Sequence, residues 1–544
     1  MVRVGHEATG SDPDRRDAPA ARVEQLPPAY EEMALGLRLL RDGPVSDAHN
    51  LLLLTSGTLR TTDLTRSREA AVQASLAAWS GGDRDGYLAA LEALCPPAAD
   101  LPDPESRTQA GEEPVETFWR AYRDGMRSIL HADFDRAGAL LGAVLHVLRN
   151  QQDAARLLSA GTIALMLGDL ATARQVLGLA LAIARSEATP VLLPRILEHL
   201  AYAELRAGRY HQARVHAEAG LEAVGEQPLR NVMAGLSAVL ALTASIAGDR
   251  VAVTRHAESA LGIAHAHGLS QAKTLAEWAR ARVDLGHGNA EHAAARLAPL
   301  VHAGPRRGHF GLWVMAVPCY IEAAVLAGHD ADAEVDADVD HLIDQYAQWA
   351  ALGADPPGPA VVLRCRALVA GHEHSEDLFN QALAQHEEVD SPYEHARTHL
   401  AYGMWLRRRR RPVEARTQLR RAVMGFDQCG ADVGAQQADA ELRAAGETPT
   451  AAPSGEAGTV SPMPLTPQQL RIARSVVQGA TNREVARQLS ISTRTVEYHL
   501  RNIFAQLGVR SRVALARALD PDPNPDPLLS TPANSSGASF PTDR

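Results

Sequence analysis

Arg494, Glu497, Tyr498 and Arg501 fall at i, i+3, i+4 and i+7, a spacing that lines side chains along one face of a helix. An arginine fork bonds guanine bidentately, a carboxylate accepts from cytosine, and an aromatic ring packs on a thymine methyl, so the row has the chemistry of base-edge recognition. The opposite face carries Val496, Leu500, Ile503 and Leu507 at i, i+4, i+7 and i+11, which predicts that the polar row points outward. Ser492, Thr493 and Thr495 open this helix, and Thr481 and Asn482 open the helix before it. Their side chains and the N-terminal amides of both helices suit phosphate oxygens. An Arg-bearing helix is often no more than a solvated face. Two capped helix starts around a tight turn set this one apart.

Other constellations are weaker. His265 and His267 are two residues apart, which on a helix turns them about 200° from each other, so they cannot share an ion there. His372-Glu373-His374 is no stronger as a metal site. The alternating acids Asp330, Asp332, Glu334, Asp336, Asp338 and Asp340 lack the glycine and glutamate of a calcium loop and read as a solvated face or loop. The run Arg407 to Arg411 reads as an exposed turn that favours the C-terminal dipole of the helix before it, with contact to DNA or an acidic partner as the alternative. Cys95, Cys319, Cys365 and Cys429 form no C-x-x-C pair, and no G-x-S-x-G elbow occurs. No metal, cofactor or enzymatic activity is expected.

The elements that must position the polar row are helices. Thr466-Pro467-Gln468-Gln469 reads as a helix start, with Thr as N-cap and Pro at the first helical position. That helix carries Leu470, Ile472, Ala473, Val476 and Val477 and ends at Gly479. Thr481-Asn482-Arg483-Glu484 is a capping box opening a short helix with Val485, Ala486 and Leu489 inward. Ser492 caps the third helix and Gly508 stops it, while Val513, Leu515 and Ala516 mark a fourth. Two short helices and a tight turn, the second helix longer and Arg-bearing, form a helix-turn-helix.

The residues Leu465-Thr466, Gly479, Thr481 to Ala486, Leu489, Ile491-Ser492, Thr495-Val496, His499-Leu500, Asn502-Ile503 and Leu507-Gly508-Val509 together resemble the LuxR-type helix-turn-helix family. The likeness covers residues 465–519. It implies that Glu497, Tyr498 and Arg501 match base-reading positions, and that the fourth helix, with Arg512, Val513, Leu515 and Ala516, matches the dimerisation helix. Gln468-Gln469 stands where the family usually has Arg-Glu, and Glu497 replaces a frequent basic residue. Repeats followed by this module also resemble the C-terminal half of the large ATP-binding LuxR-family regulators. The G-x-x-x-x-G-K-[ST] loop that would cradle a triphosphate is missing, and Lys273, the only lysine, lies in no glycine loop.

Upstream, five glycines recur every 40 residues: Gly168, Gly208, Gly248, Gly288 and Gly328. Gly371 and Arg411 continue the series at intervals of 43 and 40, and Gly82-Asp83 and Ala132-Asp133 look like degenerate earlier copies. Most follow one apolar helical stretch and precede another, which predicts stacked helix–turn–helix units in a tetratricopeptide-like α-solenoid. Aromatic residues make up 4% of the 544 residues, so alanine, leucine and valine must build the core, which favours packed helices. The fold class predicted is all-α. Its parts are a disordered stretch over 1–26, repeats over 27–445 with poorer order between 96 and 116, a Pro/Gly/Ser/Thr-rich linker over 446–464, the module over 465–520 and a disordered tail over 521–544.

A net charge of −11 argues at first against a nucleic-acid binder. Between Leu465 and Leu519, however, nine arginines face two glutamates, a surplus of seven, so the remainder carries −18. Absence of both a long apolar run and a signal peptide points to a cytoplasmic chain without a membrane span. The reading is a sequence-specific transcription regulator of double-stranded DNA, acting as a homodimer, whose repeats sense a protein or small-molecule effector. RNA polymerase is a candidate partner. The alternative is a helical-repeat scaffold or adaptor with a vestigial DNA-binding module.

Overall fold

Tight turns built on a left-handed residue set the rhythm of the chain. A computed structural model describes residues 27–95, 112–187, 191–328, 337–351, 353, 355–371, 374–389, 391–447, 465, 467–477, 480–489, 491, 493–507, 509, 515 and 519. At one turn Gly168 takes φ +76°, the Ala164 carbonyl accepts from the Asp169 N–H at 2.9 Å, and the Asp169 carboxylate accepts from the Thr172 N–H at 3.0 Å. Three residues thus close one helix (Ala154–Met166) and cap the next (Leu170–Ser186). Gly208, Gly248, Gly288 and Gly328 are left-handed too, so the 40-residue period is the period of this turn. The degenerate copies keep it: Gly82 has φ +72° and Ala132 φ +60°. Gly371 does not share this backbone, and at the last turn the left-handed residue is Arg410 (φ +59°), one position before Arg411.

Close approach between helices comes from small residues facing large ones. Gly36, Gly125, Gly161, Gly220 and Gly403 each lie against a leucine sixteen residues on: Leu52, Leu141, Leu177, Leu236 and Leu419. A Cβ on Gly403 would sit 2.6 Å from the Leu419 Cγ, so any side chain there would push the hairpin apart. Alanines at the same spacing, Ala201 with Ala217 and Ala241 with Ala257, are fully buried in shared apolar clusters.

Among the described residues the architecture is all-α, without a strand, and it consists of helical repeats followed by a small C-terminal domain. The repeats depart from a one-dimensional stack, because the ends fold back onto the middle. Pro28–Asp42 packs on Arg230–Ala247: the Arg230 Nε donates to Asp42 at 2.6 Å, and the Asn231 amide donates to the Leu40 and Gly43 carbonyls at 2.9 and 3.0 Å. The His309 Nε2 lies 2.6 Å from the Trp79 carbonyl oxygen, tying a later repeat to an N-terminal helix. From the other end, Val433 on Asp432–Ala444 packs over Gly248 and Gly286. Arg230–Ala247 is long and apolar enough to cross a membrane by length and composition, but 72% of it is buried as the central helix of the array. The stretches expected to be disordered over 1–26 and 521–544, and most of the linker over 446–464, lie outside the described residues, as do residues 329–336 of the acidic run.

Candidate nucleic-acid interface

The C-terminal domain is built on three helices, Pro467–Val477, Asn482–Leu489 and Thr493–Leu507. Ile472, Ala473, Val476, Val485, Ala486, Val496, Leu500, Ile503 and Leu515 form its core. The apolar stripe on the third helix is therefore inward. The expected capping box is present: the Thr481 N–H and hydroxyl donate to the Glu484 carboxylate, each at 2.8 Å, and the Glu484 N–H reaches the Thr481 Oγ1 at 3.3 Å. Those bonds, the one from the Thr481 N–H first, hold the Glu484 carboxyl below its ordinary value.

Arg501 is exposed and, like Arg471, Arg474 and Arg487, makes no ion pair among the described residues. Positions 494, 497, 498 and 501 lie on one helix at the register expected of a shared face. The side chains of Arg494, Glu497, Tyr498 and Thr493 lie outside the described residues, as do Ser492, Arg512, Val513 and Ala516 altogether. Thr481 is exposed at its helix start and Asn482 is half-buried. Leu515, expected at a dimer contact, is fully buried in the domain's own core, so its side chain faces inward.

Thr495 has a setting that its sequence did not reveal. It is 3% exposed and donates to the Asp432 carboxylate at 3.2 Å, on the last helix of the repeats. In this conformation the first turn of the Arg-bearing helix lies against the array, and the Thr495 hydroxyl is not open to a phosphate. His499, one turn on, is also buried, which lowers its imidazole pKa.

Several arginines of the repeat array belong to its architecture. In the run at 407–411, Arg407 pairs with Glu441 at 2.5 Å and Arg411 with Glu376 at 2.7 Å, while Arg409 lies over the Trp405 ring. His267, two residues from His265 on the same helix, bonds Asn231 through Nδ1 at 2.6 Å.

A compact core under two short helices and a longer Arg-bearing one defines the helix-turn-helix class of domain. Residues 463–519 match the family described as bacterial regulatory proteins, luxR family, and this part of the chain is a LuxR-family helix-turn-helix domain. Similar segments occur in the nitrate/nitrite response regulator protein NarP of Escherichia coli, at 44% identity over 50 residues, which is 9% of this chain and 23% of that one. The monoamine regulon transcriptional regulator of Klebsiella aerogenes is 48% identical over 54 residues, 10% of this chain and 24% of that one. An HTH-type transcriptional regulator of Mycobacterium bovis shares 43% over 51 residues, 6% of its length. The chain thus spans less than a quarter of each of these relatives. For the repeats, a Rap protein solved in complex with competence and sporulation factor overlaps 62% of this chain and 98% of its own, at 13% identity and a TM-score of 0.36.

Proposed function

We propose that this chain is a sequence-specific DNA-binding transcription regulator whose helical repeats control access to its C-terminal reader. The observation that carries the reading is Arg501: exposed and, among the described residues, without an ion pair, in the third helix of a LuxR-family helix-turn-helix domain. A cation without a protein partner on such a helix is suited to a base edge, and the neighbouring Arg494, Glu497 and Tyr498 complete the proposed reading row. Thr481, Asn482, Ser492, Thr493 and Thr495 are the proposed phosphate contacts. Thr495 joins them only when it leaves Asp432, so release of the domain from the array is the proposed switch. A homodimer on two half-sites about one helical turn apart is the proposed active form, with the fourth helix as its contact.

The test is a binding-site selection with purified variants. Arg501→Ala should lose about 1–3 kcal/mol of discrimination at one or two positions. Arg487→Ala, on the helix before, should weaken binding uniformly. Wild-type discrimination in Arg501→Ala would show that the third helix does not read sequence, and absence of any DNA binding would favour the scaffold reading.

A further inference from the structure

Two cavities adjoin inside the repeat array, of 450 and 620 Å³, sizes typical of small-molecule sites. Tyr202, Arg206, Met315 and Trp349 wall both of them. The Tyr202 hydroxyl lies 3.9 Å from the Met315 sulfur at this shared wall. The smaller cavity is aromatic, with Trp79, Tyr87, Tyr122, Phe310 and Trp313 around it. Two of its wall groups are pushed toward neutrality by burial, the Glu198 carboxyl up to about 7 and the His199 imidazole down to about 4, while Arg84, Arg195 and Arg206 also line it, Arg195 at 3.9 Å from Glu198.

The larger cavity is rich in arginine. Arg174 and Arg209 share Glu204, at 3.8 and 2.8 Å. Arg397 is held by Glu322 and by Glu394, and Glu394 also takes Arg364 at 2.6 Å. Arg282 has no such partner. Among the described residues it makes no ion pair or hydrogen bond, and its guanidinium lies over the rings of Trp278 and Tyr393 at 5.3 and 5.0 Å. Ring stacking orients the guanidinium without occupying its N–H donors. The wall of this cavity carries five arginines, Arg174, Arg206, Arg209, Arg282 and Arg397, against the carboxyls of Asp355, Glu388 and Glu394, and with Arg364, Glu204 and Glu322 behind it six arginines meet five carboxyls. A positive surplus at a partly buried wall is costly unless something negative answers it.

We propose that the adjoining cavities bind one small organic anion, with its carboxylate or phosphate head at Arg282 and its aromatic or aliphatic body among the rings around Trp79. This rests on the sensory role proposed above for the repeats and names the chemical class they sense. A cationic ligand would add to the charge surplus, and a neutral one would leave it unanswered.

The experiment uses the full chain and the aromatic sulfonate 1-anilinonaphthalene-8-sulfonate, whose fluorescence rises on entering an apolar site. Saturable binding near one equivalent is expected, with displacement by decanoate and decyl phosphate but not by decanol or decylammonium at the same concentration. The stronger of the two anions identifies the head group. Arg282→Met should weaken the probe and both anions at least tenfold, while Arg250→Met, at an exposed position, should leave them unchanged, with helical content followed by circular dichroism. If Arg282→Met does not fold, the four competitors on the wild-type chain decide. Equal displacement by decanol or decylammonium, or wild-type affinity in a folded Arg282→Met, overturns the proposal. The readout contains no DNA, so a chain that binds the anions without a change in DNA affinity upholds the site and removes only its proposed coupling to the reader.

Discussion

In the repeat array, Arg364, Arg397, Arg407 and Arg411 are each held by carboxylates, whereas in the C-terminal domain Arg471, Arg474, Arg487 and Arg501 make no ion pair among the described residues. The same side chain serves two ends. In a large array whose ends fold back on its middle, buried guanidinium groups need partners, and the pairs stitch successive helices together. Among the described residues the small domain keeps a nine-residue apolar core and leaves Arg471, Arg474, Arg487 and Arg501 at the surface. Where guanidinium groups are buried, pairing marks architecture, whereas exposed arginines without an ion pair occur among the described residues of both regions, as at Arg250 and Arg501. Arg282 is informative because at a cavity wall it stacks on rings rather than pairing with a carboxylate.

The largest expected effect separates the two regions by pH. Burial holds His199, His309 and His399 at about 4 and His386 at about 3. Each titrates lower when folded than unfolded, so the unfolded chain takes up protons first as pH falls below about 6.5. Stability that is full above that value drains away toward pH 4. Burial works the other way on carboxyls, raising Glu198 and Asp427 to about 7 and Asp355 to about 6, and their contribution is lost as pH rises through those values. The array should therefore be most stable near pH 6 and lose several kcal/mol toward pH 4, read as a falling Tm. A separate C-terminal domain, with His499 as its one histidine, should melt with a much flatter profile. Parallel profiles would break the contrast.

Next in size is Glu394→Ala, which strands Arg364, 1% exposed, and leaves Arg397 with Glu322 alone. Breaking a buried pair in this way costs about 3–5 kcal/mol, so urea unfolding of the array should shift strongly while the C-terminal domain keeps its own transition. A loss under 1 kcal/mol would mean that these pairs do not hold the repeats together. The smallest effect is Thr481→Ala, which removes one half of the capping box and should cost the C-terminal domain about 1 kcal/mol, seen as a lower Tm for that transition alone.

Much of this was legible in the sequence, for local reasons. Thr481 and Glu484 announce a helix start because both partners of the cap lie within four residues. The 40-residue glycine period announces the turns because a left-handed backbone favours glycine. Gly371 misled because it keeps the residue type without the conformation, and Ala132 and Arg410 do the reverse. The glycine–leucine spacing of sixteen was there to be read, but it gains meaning only once two helices are seen to cross. Contacts between distant segments left no pattern at all. The bonds of Arg230 to Asp42, His309 to Trp79 and Thr495 to Asp432 join residues 188, 230 and 63 positions apart, and no periodicity records them. The isolation of Arg282 is of the same kind, because whether an arginine has a partner is a property of the folded chain.

The measurement that bears most directly on unpaired charge as a DNA reader is the salt dependence of affinity, for the full chain and for a chain ending at residue 445, on fragments selected from genomic DNA. Each phosphate neutralised by an arginine releases condensed counterion, so log affinity should fall linearly with log salt at a slope of about −0.9 per contact. The account predicts a steep slope, several contacts' worth, for the full chain and no binding by the shorter one. A flat slope, or equal binding by the two chains, would contradict it.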